Sequence, residues 1–308
     1  MSDRLATIVA QLLPAGVKRE LRRLRRAYVQ KWCAFTSADL RDALSRLGVA
    51  SGDFLMVHSS FDRFLGFQGT PAAAIQALQA VLGPSGTLMM PTLPFVGSAV
   101  AYAQERPMFD VRRTASRMGL LTEVFRRSRG VVRSAHPTHS VAVWGNRAAA
   151  IIADHHLART PCGRETPYGR LHEYGGKLLF AGVPISTMTF FHLVEEELEP
   201  RMPFAVFDPD EYALRWRDDD ETVRMATMRL FSLRLAGHRD LTPLVRELRQ
   251  RNEWRELRVG RLRLILLQAR DVYDALMRLA ERGVLCYDSH VVGRRRQPST
   301  AVSRVTRS

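Results

Sequence analysis

Apolar residues recur along this chain in two rhythms. Leu5, Ile8, Val9, Leu12 and Leu13 fall at helical spacing, and after "PAG" Val17, Leu21, Leu24 and Tyr28 repeat it among arginines. This predicts a basic amphipathic helical hairpin, or one kinked helix, over residues 1–31. "SADLRDALSRL" predicts a helix begun by Thr36 or Ser37 and stopped at Gly48. A small hydroxyl caps free N–H groups, and glycine takes the left-handed turn that ends a helix. "PAAAIQALQAVL" predicts another helix, with Pro71 in its first turn. Between them run short apolar stretches: "DFLMVHSS", "GTLMMPT", "SVAVWG", "KLLFAGV" and "RLRLILLQ". Unbroken runs of that length read as strands covered on both faces. Further helices are predicted at "GLLTEVFRRS", "AAAIIADHHL", "TFFHLVEEELE" and "ARDVYDALMRLAERG". Alternation of this kind almost to residue 288 predicts an α/β fold, a layered α/β/α sheet.

Charge changes the picture at the ends. The formal net charge is +15, which favours anionic partners. Residues 1–31 hold eight Lys or Arg against Asp3 and Glu20, and the tail after Asp288 holds five Arg and no acid. Much of the excess is therefore terminal. The expected division is a basic N-terminal extension over 1–31, one main domain over 32–290, and a basic, disordered tail over 291–308. Residues 195–221 run the other way, with eleven acids against three Arg. No apolar run approaches the roughly 18–20 residues of a spanning helix. The start of the chain lacks a small-residue cleavage pattern, so no secretory signal is read. Three scattered cysteines, Cys33, Cys162 and Cys286, argue for a reducing, cytoplasmic setting.

Candidate chemistry gathers where strands give way to loops, the usual ligand edge of an α/β sheet. His58, Ser59 and Ser60 end one strand. Small hydroxyls and free N–H groups there suit a pyrophosphate, although the serines also suit simple turn capping. His192 and Glu195 stand three apart on a predicted helix. A carboxylate beside an imidazole fixes its tautomer and raises its basicity, as a general base needs; an ordinary ion pair has the same spacing. His136 and His139 form a loop H-x-x-H with no neighbouring Cys or carboxylate, a weak metal signal, and no metal is expected. Cys162 lacks a neighbour to lower its pKa. Neither G-x-x-x-x-G-K-[ST] nor G-x-G-x-x-G occurs.

Taken in order, "GVASGDFLMVHSS", "GPSGTLMMPT", "FDVRRTASRMGLLTEVFRR", "GVVRSAHPTHSVAVWG", "TPYGRLHEYGGKLLFAGV" and "TMTFFHLVEE" resemble the aminoglycoside 3-N-acetyltransferases, also called the antibiotic N-acetyltransferase family. The likeness covers roughly residues 37–195, and "RLRLILLQARDVYDAL" resembles the family's closing strand and helix. It implies a fold distinct from the commoner N-acetyltransferases and transfer of acetyl from the cosubstrate acetyl-CoA to an amine of an aminoglycoside or related aminosugar. It also implies a CoA site at His58, Ser59, Ser60, Thr114, Ser116, Met118 and Gly119. Arg133, Ser134, His136 and Ser140 match R-S-x-H-P-x-x-S; Arg133 and Ser134 are assigned to the CoA site, His136 to the catalytic centre, and His139 to a secondary part. Thr189, His192 and Glu195 match T-x-x-H-x-x-E, with His192 the expected base.

Met188 and Ala115 depart from the family pattern, which leaves the acceptor open. The alternatives are an amino sugar on a nucleotide or lipid carrier in a glycan pathway, and a non-catalytic CoA-binding protein of the same fold. The 195–221 stretch is a candidate acidic wall for a polycationic drug. Residues 1–31 are a candidate weak contact for an anionic membrane, against packing on the core or on a second subunit in a homodimer. Nucleic acid is not an expected partner.

Overall fold

The computed structural model describes residues 14–288. The helix expected at residues 5–13 and the tail from 291 lie outside the described residues.

Helix α1 spans Ala15–Trp32. Val29 is buried, but Val17, Leu24, Tyr28 and Trp32 are exposed. Helix α2, Ser37–Leu47, begins in a capping box: the Thr36 side chain accepts the Asp39 N–H and Asp39 returns a bond to the Thr36 backbone. Gly48 ends it at φ +110°. There follow β1 (Phe54–Ser59), α3 (Pro71–Leu82, capped by Thr70), β2 (Thr87–Pro91), α4 (Ala99–Gln104), β3 (Met108–Asp110), α5 (Leu120–Arg126), β4 (Val131–Arg133) and β5 (Val141–Gly145). Next come α6 (Ala148–Ile152), α7 (Pro167–Glu173), β6 (Lys177–Ala181), α8 (Phe191–Leu198), β7 (Phe207–Arg217) and β8 (Val223–Phe231). The chain closes with α9 (Thr242–Gln250), β9 (Arg255–Val259), β10 (Leu262–Gln268) and α10 (Ala269–Glu281).

Seven strands form one sheet in the order β4-β5-β2-β1-β6-β10-β9. Its centre, β2-β1-β6, is parallel, and its flanks are antiparallel. Period-two alternation sorts the central side chains. Phe54, Met56, Leu178 and Phe180 enter one core with Tyr168, Phe191, Leu244 and Leu276. Leu55, Val57, Leu179 and Leu264 enter the other with Leu40, Leu44, Ile75 and Phe125. Helices therefore cover both faces, which is why these strands read as unbroken apolar runs. A second sheet, β3-β7-β8, packs Phe109, Leu214, Trp216 and Leu230 against Phe95, Val100 and Ala103.

One expected helix is much shorter. "AAAIIADHHL" is helical only to Ile152; Asp154 turns left-handed at φ 58°, and His155 swings inward. The buried His155 ring is held by Ser134 Oγ at 2.9 Å and the Pro161 carbonyl at 3.4 Å. No described helix is long and apolar enough to cross a membrane.

Candidate active site

The carboxyl ends of β1, β2 and β6 lie together at one edge of the large sheet, and the chemistry-bearing residues converge there. His58 follows Met56 by two and so faces the same core as α8. Its Nε2 accepts the Thr189 N–H at 3.2 Å, and its ring stacks on Phe180 with centroids 5.1 Å apart. Burial pushes its pKa down to about 3, so the ring is neutral with its proton on Nδ1. His58 thus anchors the turn that leads into α8. Its Nδ1 and the Ser59 Oγ are buried and find no hydrogen-bond partner among the described residues. Ser60 is half-buried beside them.

The loop before α5 approaches this strand end. Gly119 sits at φ +108°, and a Cβ built there would lie 3.9 Å from the Ser59 carbonyl. Ser116 Oγ accepts the Met118 N–H at 3.2 Å, and Ser116 N–H donates to Glu123 at 2.8 Å. Thr114 Oγ1 accepts the Asp110 N–H at 2.7 Å. Gly119 therefore lies against the Ser59 end of β1, whereas the Thr114 and Ser116 side chains shape their own loop.

Arg133 and Ser134 play a different part from the one expected. The Arg133 guanidinium is buried over the Phe109 ring at 4.6 Å. Nε donates to Thr92 Oγ1 at 3.1 Å and Ser140 Oγ at 3.2 Å; Nη2 donates to the Thr92 carbonyl at 2.7 Å and Nη1 to the Thr114 carbonyl at 2.6 Å. All three nitrogens are engaged within the protein, tying β2, β4 and the Thr114 loop together. Ser134 Oγ accepts the Val141 N–H at 2.9 Å and bonds His155 Nδ1. His136 is also turned inward. Its Nδ1 accepts the N–H groups of Thr138 at 3.3 Å and His139 at 3.0 Å, and its ring stacks on His155 at 4.5 Å. Burial pushes its pKa to about 3.

His139, not His136, lines a cavity. That cavity, about 100 Å³, is bordered by Leu93, Phe95, His139, His192, Phe231 and Arg239 among others. The His192 ring stacks on Phe231 at 4.1 Å and meets His139 edge to face at 6.0 Å. One turn on, Glu195 receives the His192 Nδ1–H. This leaves Nε2 as the basic atom. The Glu195 side chain is wholly buried. Burial alone would raise its pKa, but His192 and Arg239 outweigh that and hold it low. Burial, then the Arg239 charge, lowers the His192 pKa against the pull of Glu195. An uncharged imidazole on an ionised carboxylate is what a general base requires.

Arg239, Phe231 and the cavity-facing role of His139 had no signal in the sequence. The H-x-x-H motif does not say which ring turns to the backbone. Arg239 stands 44 residues from Glu195. Cys162 is fully buried, and burial pushes its thiol well above the usual range. Among the described residues no group of three or more His, Cys, Asp or Glu is disposed to hold a metal ion. A wider groove of about 720 Å³, lined by Phe35, Asp39, Asp42, Ser45 and Arg258, has neither an imidazole nor a thiol among its described lining residues.

Comparison with known proteins bears on the family and the fold. The family described as Aminoglycoside 3-N-acetyltransferase matches residues 56–281. Aminoglycoside N(3)-acetyltransferase IV of a Salmonella species is 35% identical over 169 residues, covering 55% of this chain and 61% of that enzyme. The chain thus spans about three fifths of the length of the curated relatives it matches. A variant of aminoglycoside acetyltransferase AAC(3)-IVa, solved in complex with a gentamicin, superposes with a TM-score of 0.69 at 28% identity, covering 84% of this chain and 94% of that one. AAC-IIIb, solved as a binary complex with CoASH, gives 0.68 at 24% identity over 82% and 99%.

Proposed function

The chain belongs to the aminoglycoside 3-N-acetyltransferase family, and on that premise we propose that it moves an acetyl group from acetyl-CoA to an amino group of an aminoglycoside or related aminosugar. The observation that carries this reading is the buried Glu195 holding His192 at the cavity wall. Residues 32–290 form the transferase unit. Ser59, Ser60, Met118 and Gly119 border the CoA site at the carboxyl end of β1. The acceptor nitrogen attacks the thioester carbon. His192 Nε2 takes the proton from the attacking nitrogen, while Glu195 fixes the Nδ1–H and steadies the imidazolium. The C–S bond then breaks and the CoA thiolate leaves, collecting a proton.

An aminoglycoside acceptor makes antibiotic resistance the biological outcome. The three free cysteines suit a reducing, cytoplasmic setting. We also infer a peripheral contact with anionic membrane through α1, because Val17, Leu24, Tyr28 and Trp32 stand exposed on a helix that also carries exposed Arg19, Arg23 and Lys31.

Acetyl transfer by the wild type, His192→Ala and Cys162→Ala, screened over aminoglycosides and nucleotide-linked amino sugars, tests the reaction. His192→Ala is expected to lose roughly 10²- to 10⁴-fold in rate, and Cys162→Ala to keep its rate. A His192→Ala enzyme as fast as wild type removes the base. CoA binding without turnover of any amine favours a non-catalytic protein, and turnover confined to nucleotide-linked sugars favours the glycan pathway.

A further inference from the structure

Arg239 enters the site from a distant part of the chain. It follows β8 and precedes α9, and its backbone is pinned on both sides. Arg239 bridges Tyr287 in antiparallel fashion, Asp240 N–H donates to the Cys286 carbonyl at 3.0 Å, and Asp288 N–H to the His238 carbonyl at 2.9 Å. The guanidinium lies 5.9 Å from the Phe191 ring centroid. Nη2 is 3.2 Å from each Glu195 oxygen, and Nε is 3.3 Å from Oε1. The fully buried carboxylate thus has two partners, an imidazole N–H and a guanidinium.

We propose that Arg239 is a positioning residue for acetyl transfer: it fixes the Glu195 carboxylate so that the carboxylate orients His192 without drawing a proton onto it. The proposal rests on the acetyl-transfer reading and adds a third member to its His–Glu pair. A buried carboxylate whose sole partner is an imidazole gains most by making that imidazole a cation. An imidazolium has no lone pair on Nε2 and accepts nothing from the incoming amine. Arg239 removes that pull in two ways. It shares the carboxylate, and its own positive charge, 3.4 Å from His192 Nδ1, disfavours a second cation there. The charged and titratable groups facing His192 are Glu195 from its own helix, Arg239 from the segment after β8, and His139 from the β4–β5 loop. His139 is buried, with its pKa held well below the usual range first by burial and then by His192, so it supplies no charge of its own. The lowered His192 pKa agrees with this balance.

The test compares the full-length wild type with Arg239→Gln, Arg239→Met and Arg239→Lys. The His192 titration midpoint is read by NMR, its signal assigned through His192→Gln, and kcat/KM is followed from pH 5.5 to 9 for an amine the wild type accepts. Loss of the charge is expected to raise the midpoint by about one pH unit. Activity should then fall about tenfold more at the acid end than at the alkaline end. Arg239→Lys should restore most of both. Arg239→Met keeps the packing over Phe191 and serves if the Gln variant does not fold. An unmoved midpoint in either neutral variant, or an equal loss of kcat/KM at every pH, overturns the proposal and leaves acetyl transfer standing. A wild-type chain that acetylates no amine overturns the acetyl-transfer reading and the role of Arg239 with it.

Discussion

At His136 the imidazole serves the backbone rather than the cavity. It accepts two N–H groups of its own loop and stacks on His155, with no exposure to solvent. His136→Ala leaves those N–H groups unsatisfied and opens a hole, for an expected cost of about 2–4 kcal/mol in urea unfolding. His136→Asn keeps an acceptor near the Nδ1 position and should recover a good part of that loss. Because the ring is neutral throughout the working range, the acid limb of kcat/KM should stay put in His136→Asn; a shifted limb would return His136 to the catalytic centre. His192 and Glu195 were legible from sequence because one helical turn separates them, so spacing alone puts them on one face. Arg133 was misread for the opposite reason. A basic residue at a strand end looks the same whether it meets a phosphate or, as here, three carbonyls and two hydroxyls.

On helix α8 consecutive glutamates meet opposite fates. Glu195 pairs with the Arg239 guanidinium and the His192 N–H, whereas Glu196 accepts the Cys162 N–H at 2.7 Å in surroundings that push its pKa up to about 7, burial being the main cause. Its folded pKa lies above the unfolded value of 4.5. The folded state then binds more protons between those values, so the Glu196 contribution is full below pH 4.5 and is lost as pH rises toward 7. Glu196→Gln stays neutral and still offers an oxygen to Cys162. The variant should therefore match wild type in Tm at pH 4.5 and exceed it at pH 8; an equal difference at both would contradict the assignment. Elements with strong local rules, such as the capped α2 and the apolar β1 and β6, were plain in the sequence. Strands β7 and β8 were not. Their acids and arginines face solvent, Asp208-Pro209-Asp210 interrupts the alternation, and the pairing register shifts between Phe207 and Glu211. A strand with one wet face and a bulge carries too short a periodic run to stand out.

Over the whole molecule, charge is sorted by pairing more than by count. The acids expected to wall a polycation site are largely matched on the second sheet: Asp218 and Asp220 with Arg224, Asp219 with Arg112, Glu211 with Arg159, and Glu221 with Arg113 and Arg217. Exposed pairs of this kind contribute little stability, but they cancel the field an acidic wall would project. At α1 the balance is different. Arg23 lies 3.7 Å from Glu20, the one acid on that helix, while Lys31 lies over the Trp32 ring at 5.1 Å. Val17, Leu24, Tyr28 and Trp32 follow one another at steps of seven, four and four residues, which keeps them on one face of the helix, and each is 43–67% exposed. Such a stripe flanked by basic side chains suits the interface of an anionic bilayer, where each nearby Lys or Arg adds about 1 kcal/mol and each apolar side chain adds by burial. With so few apolar anchors the contact should be reversible and weakened by salt. The full chain is expected to sediment with phosphatidylserine-containing vesicles at about 50 mM salt, to release near 500 mM, and to ignore neutral vesicles. Leu24→Glu with Tyr28→Glu should abolish sedimentation while leaving Tm and acetyl transfer unchanged, since both side chains face away from the core. If the double variant sediments as well as wild type, charge alone carries the contact and the apolar stripe has no part in it. If it instead changes the oligomeric state or lowers Tm, the stripe is a packing surface between subunits or on the core, and the membrane contact is wrong.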